Sequence, residues 1–559
     1  MAEKNYDVIV VGAGHAGVEA AAAAARMGCR AALVTFSRDN IGEMSCNPSV
    51  GGLGKGHLVR EVDALDGIMA RAADAAGTQF RVLNSSKGAA VQGPRAQVDR
   101  ALYKKAVSEL LSGYPNLEII EDEAVGFDGL RFELASGRMI ESKAAVVSTG
   151  TFLNGAMHVG EEKTAGGRAG EKSSAGIAES LKRAGFSMIR LKTGTPPRLL
   201  GATINYAGLE VQESDAEPEA FSFMTERLGQ KTLLTHIAHT NARTHGIILA
   251  NKHRSPLYNG QIKSIGPRYC PSIEDKAVRF AHHASHHVFL EPEGYGTDVV
   301  YPNGISTSLP KDVQDEFVRS IKGLENVKIP RYGYAVEYDA VDARELRPTL
   351  ESKRVAGLFL AGQINGTSGY EEAAGQGILA GINAALHSHG KERIVLDRSQ
   401  AFIGVMVDDI TTLGVDEPYR MFTSRSEYRL SVRADNADRR LTPLGIAVGA
   451  VEANRAGAFD EKMEKIARGD ISDAAVRRQM EIEGKYAGYL RREEKEIEAY
   501  RRDQEMKIPD SLDYSKIGGL TLEARAKLER ARPATLAGAA RIQGITPAAL
   551  TALLKFIKK

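Results

Sequence analysis

The chain has 559 residues but no tryptophan and only three cysteines, and these shortages exclude several kinds of protein. Cys29, Cys46 and Cys270 are odd in number and far apart, which argues against a disulfide framework and favours a reducing compartment. No apolar run approaches the roughly 18–20 residues of a membrane-spanning helix. The net charge is only +2, so nucleic-acid binding would need local patches. We therefore expect a cytoplasmic protein of several domains without a membrane segment.

The clearest pattern lies near the start of the chain, where an apolar run is followed by closely spaced glycines. Residues 8–11 predict a buried parallel strand, residues 18–27 an alanine-rich helix, and residues 30–35 a second strand. Glycines at positions 12, 14 and 17 suit a tight turn, the approach of a pyrophosphate and close packing of helix on strand. The sequence predicts dinucleotide binding by Gly12, Ala13, Gly14, His15, Ala16 and Gly17.

One part of the dinucleotide pattern is missing. The second strand should end in an acidic residue that holds the ribose, but it ends in Val34-Thr35-Phe36-Ser37, so a hydroxyl or backbone group is expected there. Two later strands favour FAD over NAD: residues 144–148 run into Thr-Gly-Thr, and residues 357–363 end in a glycine and Gln363. Later chain segments that add strands to the first sheet in this way are typical of FAD folds of the glutathione-reductase type.

These later strands predict the fold class and a division of the chain into four segments. We expect an α/β protein with an FAD-binding Rossmann-type fold, glutathione-reductase-like, an inserted α/β domain and a C-terminal all-helical domain. The FAD-binding domain would comprise residues 1–202 and 288–400, around an inserted substrate or NAD domain at 203–287. From about residue 401 glycine becomes scarce and the pattern is helical, which predicts a C-terminal domain at 401–559. A single helix is expected at residues 57–73.

The C-terminal part holds a basic segment and a compact end unit. Between residues 420 and 440 there are six arginines against three acidic residues, with Phe422 and Tyr428 interleaved. Such a segment can neutralise phosphates and stack bases, or it can be a solvated face with extended arginines. Near the end, Gly544 stops one helix and Thr546 caps the next, which predicts a pair of helices suited to binding a partner.

Several longer blocks resemble the signature sequences of the MnmG family, also called GidA. They lie at residues 12–17, 44–48, 51–57, 192–198, 266–276, 301–308, 362–367 and 422–429. The resemblance implies an FAD-dependent tRNA modification enzyme that works as a homodimer with the GTPase MnmE, in an assembly of two plus two chains. Together they add a carboxymethylaminomethyl or aminomethyl group to C5 of the wobble uridine 34. Methylenetetrahydrofolate supplies the one-carbon unit, glycine or ammonium the amine, and NADH the electrons.

The resemblance also implies particular ligand contacts. FAD contacts fall on the glycine motif and on Val125, Ser174 and Gln363. A proposed NAD segment corresponds to Gly266, Pro267, Arg268, Tyr269, Pro271, Ser272, Ile273, Glu274, Asp275, Lys276, Ala277, Val278, Arg279 and Phe280, although it lacks a GxGxxG pattern. We expect tRNA contacts at Arg425, Arg429 and Arg433, and partner binding by the helices from about residue 511 to 559.

Two cysteines are candidate catalytic residues for such a reaction. C5 of uracil is a weak nucleophile, and a thiolate that adds to C6 gives C5 carbanion character. Cys46 lies in a glycine-rich loop expected to face the flavin, and Cys270 follows Arg268, which favours a thiolate. A structural thiol is the alternative for each, and Cys29 is expected to be buried. His282, His283, His286 and His287 lack a cysteine or acidic ligand at matching spacing, so we expect no metal.

Three other functions fit parts of this pattern. A flavin disulfide reductase needs a redox-active cysteine pair, and no two cysteines have that spacing. A folate- and FAD-dependent tRNA uracil methyltransferase shares the fold and the donor, but its family ends soon after the FAD domain. A non-catalytic flavoprotein scaffold would present tRNA to a partner, against which the two placed cysteines argue.

Overall fold

The structure is a computed structural model that describes residues 4–229, 231–268 and 271–557. Its strands are β1 Lys4–Val11, β2 Ala31–Thr35, β3 Ser49–Gly51, β4 Gly77–Leu83, β5 Gly93–Val98, β6 Leu117–Glu121, β7 Ala124–Asp128, β8 Arg131–Leu134, β9 Met139–Val147, β10 Ala156–Val159, β11 Glu162–Ala165, β12 Met188–Thr195, β13 Leu199–Leu200, β14 Glu210–Gln212, β15 Thr235–His239, β16 His287–Pro292, β17 Val299–Asn303, β18 Tyr334–Val341 and β19 Leu358–Leu360.

The helices alternate with these strands and then dominate the C-terminal part. They are α1 His15–Arg26, α2 Lys55–Ala64, α3 Met69–Ala76, α4 Arg100–Ser112, α5 Ala175–Arg183, α6 Ala242–Ala250, α7 Ile273–Arg279, α8 Lys311–Arg319, α9 Tyr370–Ser388, α10 Phe402–Asp408, α11 Ala437–Val448, α12 Ala453–Arg468, α13 Ala474–Glu505, α14 Leu522–Ala531, α15 Leu536–Arg541 and α16 Pro547–Ile557. None of these helices, within the ranges above, is both long and apolar enough to cross a membrane.

The N-terminal sheet carries the dinucleotide motif. Its order is β6-β2-β1-β9-β8-β7, and β19 pairs with the end of β9. β6, β2, β1, β9 and β19 are mutually parallel, whereas β8 pairs antiparallel with β9 and β7 pairs antiparallel with β8. Both faces of the parallel part are covered, which explains why β1 is apolar throughout Val8, Ile9 and Val10. The carboxyl ends of β1, β9 and β19 therefore meet at one edge, where ligands bind in folds of this kind.

The inserted unit extends beyond the boundary predicted at residue 287. That residue begins β16, which pairs with β15 on one side and β17 on the other in a sheet of order β13-β17-β16-β15-β14. This unit has its own core, which includes Leu290, Phe317 and Val327. A separate sheet, β11-β10-β18-β12, joins it to the FAD-type fold. The inserted unit thus runs to about residue 330, because strand pairing across position 287 holds both sides together.

The predicted helix at residues 57–73 is instead two helices, α2 and α3, and the prediction of one helix was wrong. The chain turns at Asp66, which has a left-handed φ of 68°. The carboxylate of Glu19, on α1, accepts hydrogen bonds from the backbone N–H groups of Ile68 at 2.9 Å and Met69 at 2.7 Å. A distant residue therefore caps the second helix, and a local pattern cannot show this.

The C-terminal part is helical except for one connection. A π-helical turn at Asp409–Leu413 follows α10, and only a short 3-10 turn at Thr423–Arg425 interrupts the loop before α11. The basic segment is therefore largely a loop. The helices α14, α15 and α16 form a terminal bundle with its own small core, in which Tyr514, Leu528 and Leu553 are buried.

Candidate functional site

A cavity of about 600 Å³ opens where β1, β9 and β19 end. The glycine motif forms its floor, and the loop around Cys46, the inserted unit and the loop before α11 form its walls. The predicted FAD residues that line it are Gly12, Ala13, Gly14, His15, Ala16, Ser174 and Gln363. The glycine motif and the ends of β9 and β19, both predicted from the sequence, thus meet at one cavity.

The three motif glycines have different structural roles. Gly12 has a φ of +99°, and a Cβ there would lie 2.5 Å from the carbonyl oxygen of Ser148 on the neighbouring strand end. A Cβ at Gly17 would overlap the carbonyl oxygen of Gly12, so Gly17 serves helix-to-strand packing. A Cβ added at Gly14, the N-cap of α1, would have no atom within 4 Å. The helix N-terminus and this open position together suit an anionic pyrophosphate.

Nε2 of His15 and Oγ1 of Thr149 are buried polar atoms of the cavity wall without a hydrogen-bond partner within the described residues. Burial lowers the pKa of His15 to about 4, so its imidazole is neutral at pH 7. It stacks on Tyr370, with ring centres 4.6 Å apart. Buried polar groups are normally satisfied, so these atoms mark where a polar ligand would complete the site.

The ribose position has an acidic residue that the sequence did not reveal. Thr35 and Phe36 line the cavity at the end of β2, and the Thr35 hydroxyl donates to the carbonyl oxygen of Ser37 at 3.2 Å. Asp122 also lines the cavity, and its backbone N–H donates to the carbonyl oxygen of Thr35 at 2.9 Å. The carboxylate thus comes from the end of β6, the strand beside β2, and only the strand order could have predicted it.

Val125 is the implied FAD residue with the weakest support from this geometry. It lies on β7, and its neighbour Ala124 lines the cavity whereas Val125 is not among the described lining residues. A Cβ at Gly176 would overlap the carbonyl oxygen of Val125, so this backbone packs tightly against α5. Contact between Val125 and FAD stays a prediction.

The Cys46 thiol faces the same cavity. Its Sγ lies 3.1 Å from the hydroxyl oxygen of Tyr301 and 3.9 Å from the carbonyl oxygen of Gly194, and all three residues line the wall. The backbone N–H of Cys46 donates to the hydroxyl of Tyr370 at 2.6 Å. Nothing in the sequence around residue 301 indicated that β17 would reach this cysteine.

Two arginines, the buried Arg198 and the partly buried Arg100, hold the carbonyl oxygen of Cys46. Arg198 donates to it at 3.1 Å, and Arg100 donates to it as well. Both guanidinium groups also pair with Glu293, at 2.5 Å from Arg198 and 3.0 Å from Arg100. Burial opposes the charge of Arg198, but Glu293, Tyr301 and Cys46 together outweigh it and raise the pKa of Arg198 above its ordinary value. The loop that carries Cys46 is therefore fixed from several elements.

Cys270 and Tyr269 lie outside the described residues, whereas most of the proposed NAD segment is described. Pro271 and Lys276 line the cavity. Ile273, Glu274 and Ala277 have buried side chains in the inserted unit, and Glu274 accepts hydrogen bonds from Thr307 and Ser308 at 3.1 Å. These three side chains serve the packing of α7, and contact of this segment with NAD stays a prediction.

The third cysteine and the histidines are separate from the cavity. Cys29 is fully buried, and burial raises the pKa of its thiol, as expected for a structural residue. His282 and His283 lie with ring centres 4.2 Å apart near the end of α7. Among the described residues, no group of three or more histidine, cysteine or acidic side chains has the geometry of a metal site.

Comparison with known proteins places this geometry in a family. The family model described as glucose inhibited division protein A, GIDA, matches residues 7–392, more than half of the chain. The chain belongs to the GidA family. A second family model, described as the tRNA modifying enzyme MnmG/GidA C-terminal helical bundle, matches residues 496–559. The match to both models confirms the MnmG/GidA resemblance.

Individual relatives agree over the full length. Proteins named tRNA uridine 5-carboxymethylaminomethyl modification enzyme MnmG from Granulibacter bethesdensis and Rhodopirellula baltica are each 49% identical, over 99% of this chain and 98% and 93% of theirs. The form II crystal structure of Aquifex aeolicus GidA is 45% identical with a TM-score of 0.93, over 100% of this chain and 99% of that one. This likeness confirms the predicted fold class.

In this GidA chain, the three arginines predicted to bind tRNA have different environments. Arg433 is 1% exposed, forms a two-pronged pair with Asp435 at 2.9 and 3.0 Å and donates to the carbonyl oxygen of Leu430. The prediction that it contacts tRNA is therefore wrong for this conformation. Arg425 is partly exposed and stacks 4.1 Å above the ring centre of Tyr419. Arg429 is exposed and remains a candidate.

The apolar residues that suggested a partner surface on the terminal bundle are largely internal. Ile542 and Leu553 are buried, and Leu536, Ile545 and Leu550 pack against the same core. They therefore stabilise the bundle. On its outside, Leu522 is 81% exposed. Any partner surface must consist of such outward residues and not of the internal apolar row.

Proposed function

We propose that this chain is a tRNA uridine 5-carboxymethylaminomethyl modification enzyme that uses FAD. The observation that carries the proposal is the cavity itself, whose floor is a glycine cradle for a dinucleotide and whose wall carries the Cys46 thiol. The names of the full-length relatives support the same reaction. The finer proposals follow the family resemblance: MnmE as partner, a homodimer, methylenetetrahydrofolate, glycine or ammonium, and NADH.

The residues present fit FAD. Gly12 and Gly14 admit a pyrophosphate to the N-terminus of α1, and the open side of Gly14 faces the cavity. Asp122 would accept a hydrogen bond from the ribose, and Gln363 and Ser174 line the remaining wall. When bound, FAD would supply hydride transfer. Binding and orientation are the work of the side chains named here.

The cysteine chemistry follows from what uracil requires. A thiolate that adds to C6 forms an S–C6 bond and moves the ring electrons toward C5, which then attacks a one-carbon electrophile. Loss of the C5 proton and cleavage of the S–C6 bond restore the aromatic ring. Cys46 faces the cavity and is held there by its loop, so its thiol can meet a base that enters. Cys270 remains a second proposed catalytic residue.

The C-terminal part helps to separate this function from its alternatives. Arg420 and Phe422, in the loop before α11, line the same cavity as the glycine motif. Residues beyond 401 are thus part of the site, whereas a folate-dependent tRNA uracil methyltransferase ends soon after its FAD domain. A scaffold without catalysis has no need to enclose a thiol beside the dinucleotide cradle.

Nucleoside mass spectrometry of tRNA tests the reaction. A bacterial strain that lacks its own MnmG would be complemented with this chain, and the wobble uridine of its tRNA would be analysed. We expect the 5-carboxymethylaminomethyl or aminomethyl group to return. Formation of 5-methyluridine instead would favour the methyltransferase, and complementation by a Cys46→Ser, Cys270→Ser double variant would favour the scaffold.

Arg429→Ala is expected to weaken tRNA binding, with the loss greatest at low salt. Each phosphate contact contributes about one to the slope of log affinity against log salt, so one lost contact should reduce the slope by roughly one. Arg433→Ala is the matched control, because this arginine is internal: its loss should lower stability by roughly 3 kcal/mol and leave the salt slope unchanged. Equal slopes for wild type and Arg429→Ala would remove Arg429 from the interface.

Deletion of residues 506–559 is expected to abolish partner binding and spare tRNA binding and FAD. The cut must precede Met506, because its carbonyl oxygen accepts from Leu536 N–H at 3.0 Å and Ile508 is part of the bundle core. A pull-down of MnmE beside a tRNA salt titration measures both effects. If the shortened chain keeps the partner and loses tRNA, the terminal bundle is the RNA-binding unit and the assignment is reversed.

A further inference from the structure

The partners of the Cys46 sulfur differ in what they can do for a thiol and for a thiolate. The carbonyl oxygen of Gly194, 3.9 Å away, can only accept, so it favours the protonated S–H form. The hydroxyl of Tyr301, 3.1 Å away, can donate, so it is able to stabilise the negative sulfur. Hydrogen bonds to a charged atom are stronger than those between neutral groups. The contact with Tyr301 therefore gains most when Cys46 is ionised.

Charged groups around the loop add to this preference. Arg100 and Arg198 hold the Cys46 carbonyl and share Glu293, while Lys104 pairs with Glu43 at 2.7 Å and Arg100 lies 4.0 Å from Glu43. Arg100 and Arg198 thus place two guanidinium groups against the Cys46 loop with one shared carboxylate, while Lys55, Glu371 and Glu372 of the same wall pair among themselves. A nearby positive charge favours a thiolate.

Arg198 also acts on Tyr301 itself. Its guanidinium carbon lies 4.5 Å above the centre of the Tyr301 ring, and both side chains are buried. A cation over the face of a phenol draws electron density from the ring and makes its O–H a better donor. The guanidinium cannot swing away, because it also donates to Thr195 at 3.0 Å and pairs with Glu293.

We propose that Tyr301 is a positioning residue for Cys46, whose hydroxyl donates a hydrogen bond to the sulfur and holds it as a thiolate aimed into the cavity. This inference deepens the proposed function and rests on it for the use of the thiolate. On ionisation the thiol proton passes to water, and Tyr301 keeps its own proton. The neighbouring Tyr370 has a different task, because it accepts from the backbone N–H of Cys46.

The pH dependence of Cys46 alkylation tests this arrangement without tRNA, folate or partner. Flavin-loaded protein would react with iodoacetamide, and mass spectrometry of the Cys46 peptide would give the rate at each pH. In Tyr301→Phe the thiolate loses a hydrogen-bond donor, so alkylation near pH 7 should become about ten-fold slower than in wild type, and the rates should converge at high pH.

Tyr514→Phe is the matched control. Tyr514 is another buried tyrosine beside an arginine, with the guanidinium carbon of Arg532 5.4 Å from its ring centre, but it lies in the core of the terminal bundle. We expect this variant to leave the rate of Cys46 alkylation unchanged at every pH, and equal FAD content in all three proteins excludes a general loss of structure. An unchanged or faster alkylation near pH 7 in Tyr301→Phe overturns the proposal, since the phenol would then be neutral to the sulfur or an acceptor from it. Failure of the proposed role of Cys46 in tRNA modification is a separate result, because it would appear as full modification activity in Cys46→Ser.

Discussion

Gly14→Val is expected to give a folded protein that no longer retains FAD. Gly14 has φ −71° and ψ −176°, a conformation that valine adopts without strain. A Cβ at this position meets no atom within 4 Å, so the protein itself tolerates the side chain. The added methyl groups would occupy the space beside the N-terminus of α1. Loss of two hydrogen bonds to phosphate, at roughly 1.5 kcal/mol each, corresponds to about a hundred-fold lower affinity.

The flavin absorbance of the purified protein measures this effect, and thermal unfolding shows whether the fold survives. Because a ligand that binds only the folded state raises the melting temperature, Gly14→Val should melt like wild type stripped of FAD. Gly457→Val is the matched control: Gly457 lies on α12, with nothing within 4 Å of its Cβ position and away from the cavity. Stoichiometric FAD in Gly14→Val would show that the dinucleotide binds elsewhere.

The sequence predicted those parts of the site that depend on a short stretch of chain. The turn at Gly12, the helix after Gly14 and the packing at Gly17 follow from residues within a few positions of one another, and the structure has all three. The strands before Ser148 and Gln363, which join the first sheet, could also be predicted, because a buried parallel strand needs an uninterrupted apolar run.

The parts that the sequence could not show depend on which strands become neighbours. Asp122 lines the cavity next to Thr35 because β6 lies beside β2, and Tyr301 reaches Cys46 because β17 of the inserted unit borders the cavity. The break between α2 and α3 depends on Glu19, which caps the second helix from another element. Each of these contacts joins residues that are about fifty or more positions apart.

Arg433 shows a different limit. Charge counting over residues 420–440 treats every arginine as available to phosphate, but an arginine can serve the protein itself. The sequence did indicate such a role for Arg433, since Asp435 follows two residues later and forms a two-pronged ion pair with it. Burial then commits the guanidinium to this pair, because an unpaired buried charge is costly. Local excess charge therefore predicts an RNA surface only where the structure leaves the side chains exposed, as it does for Arg429.

Cys46→Ser and Cys270→Ser are each expected to abolish tRNA modification while FAD content stays unchanged. A serine hydroxyl is far less acidic than a thiol, so addition to C6 of uridine would stall. For the nucleophile itself the loss should be at least about three orders of magnitude in turnover. Cys46 lines the cavity, and Pro271, which follows Cys270, lines it as well. Wild-type turnover by either variant rules that cysteine out.

A covalent trap decides which of the two cysteines attacks the base, and we expect it to be Cys46. In tRNA with 5-fluorouridine at the wobble position, the thiolate can add to C6 and C5 can attack the one-carbon electrophile. Release then requires loss of a C5 proton, but fluorine cannot leave as a cation, so the S–C6 bond persists. Mass spectrometry should find the nucleotide on the Cys46 peptide, because Tyr301 and the surrounding cations favour its thiolate. An adduct on Cys270 in the wild-type protein would exchange the two roles, and Cys46 would then serve as the proton-transfer or positioning group.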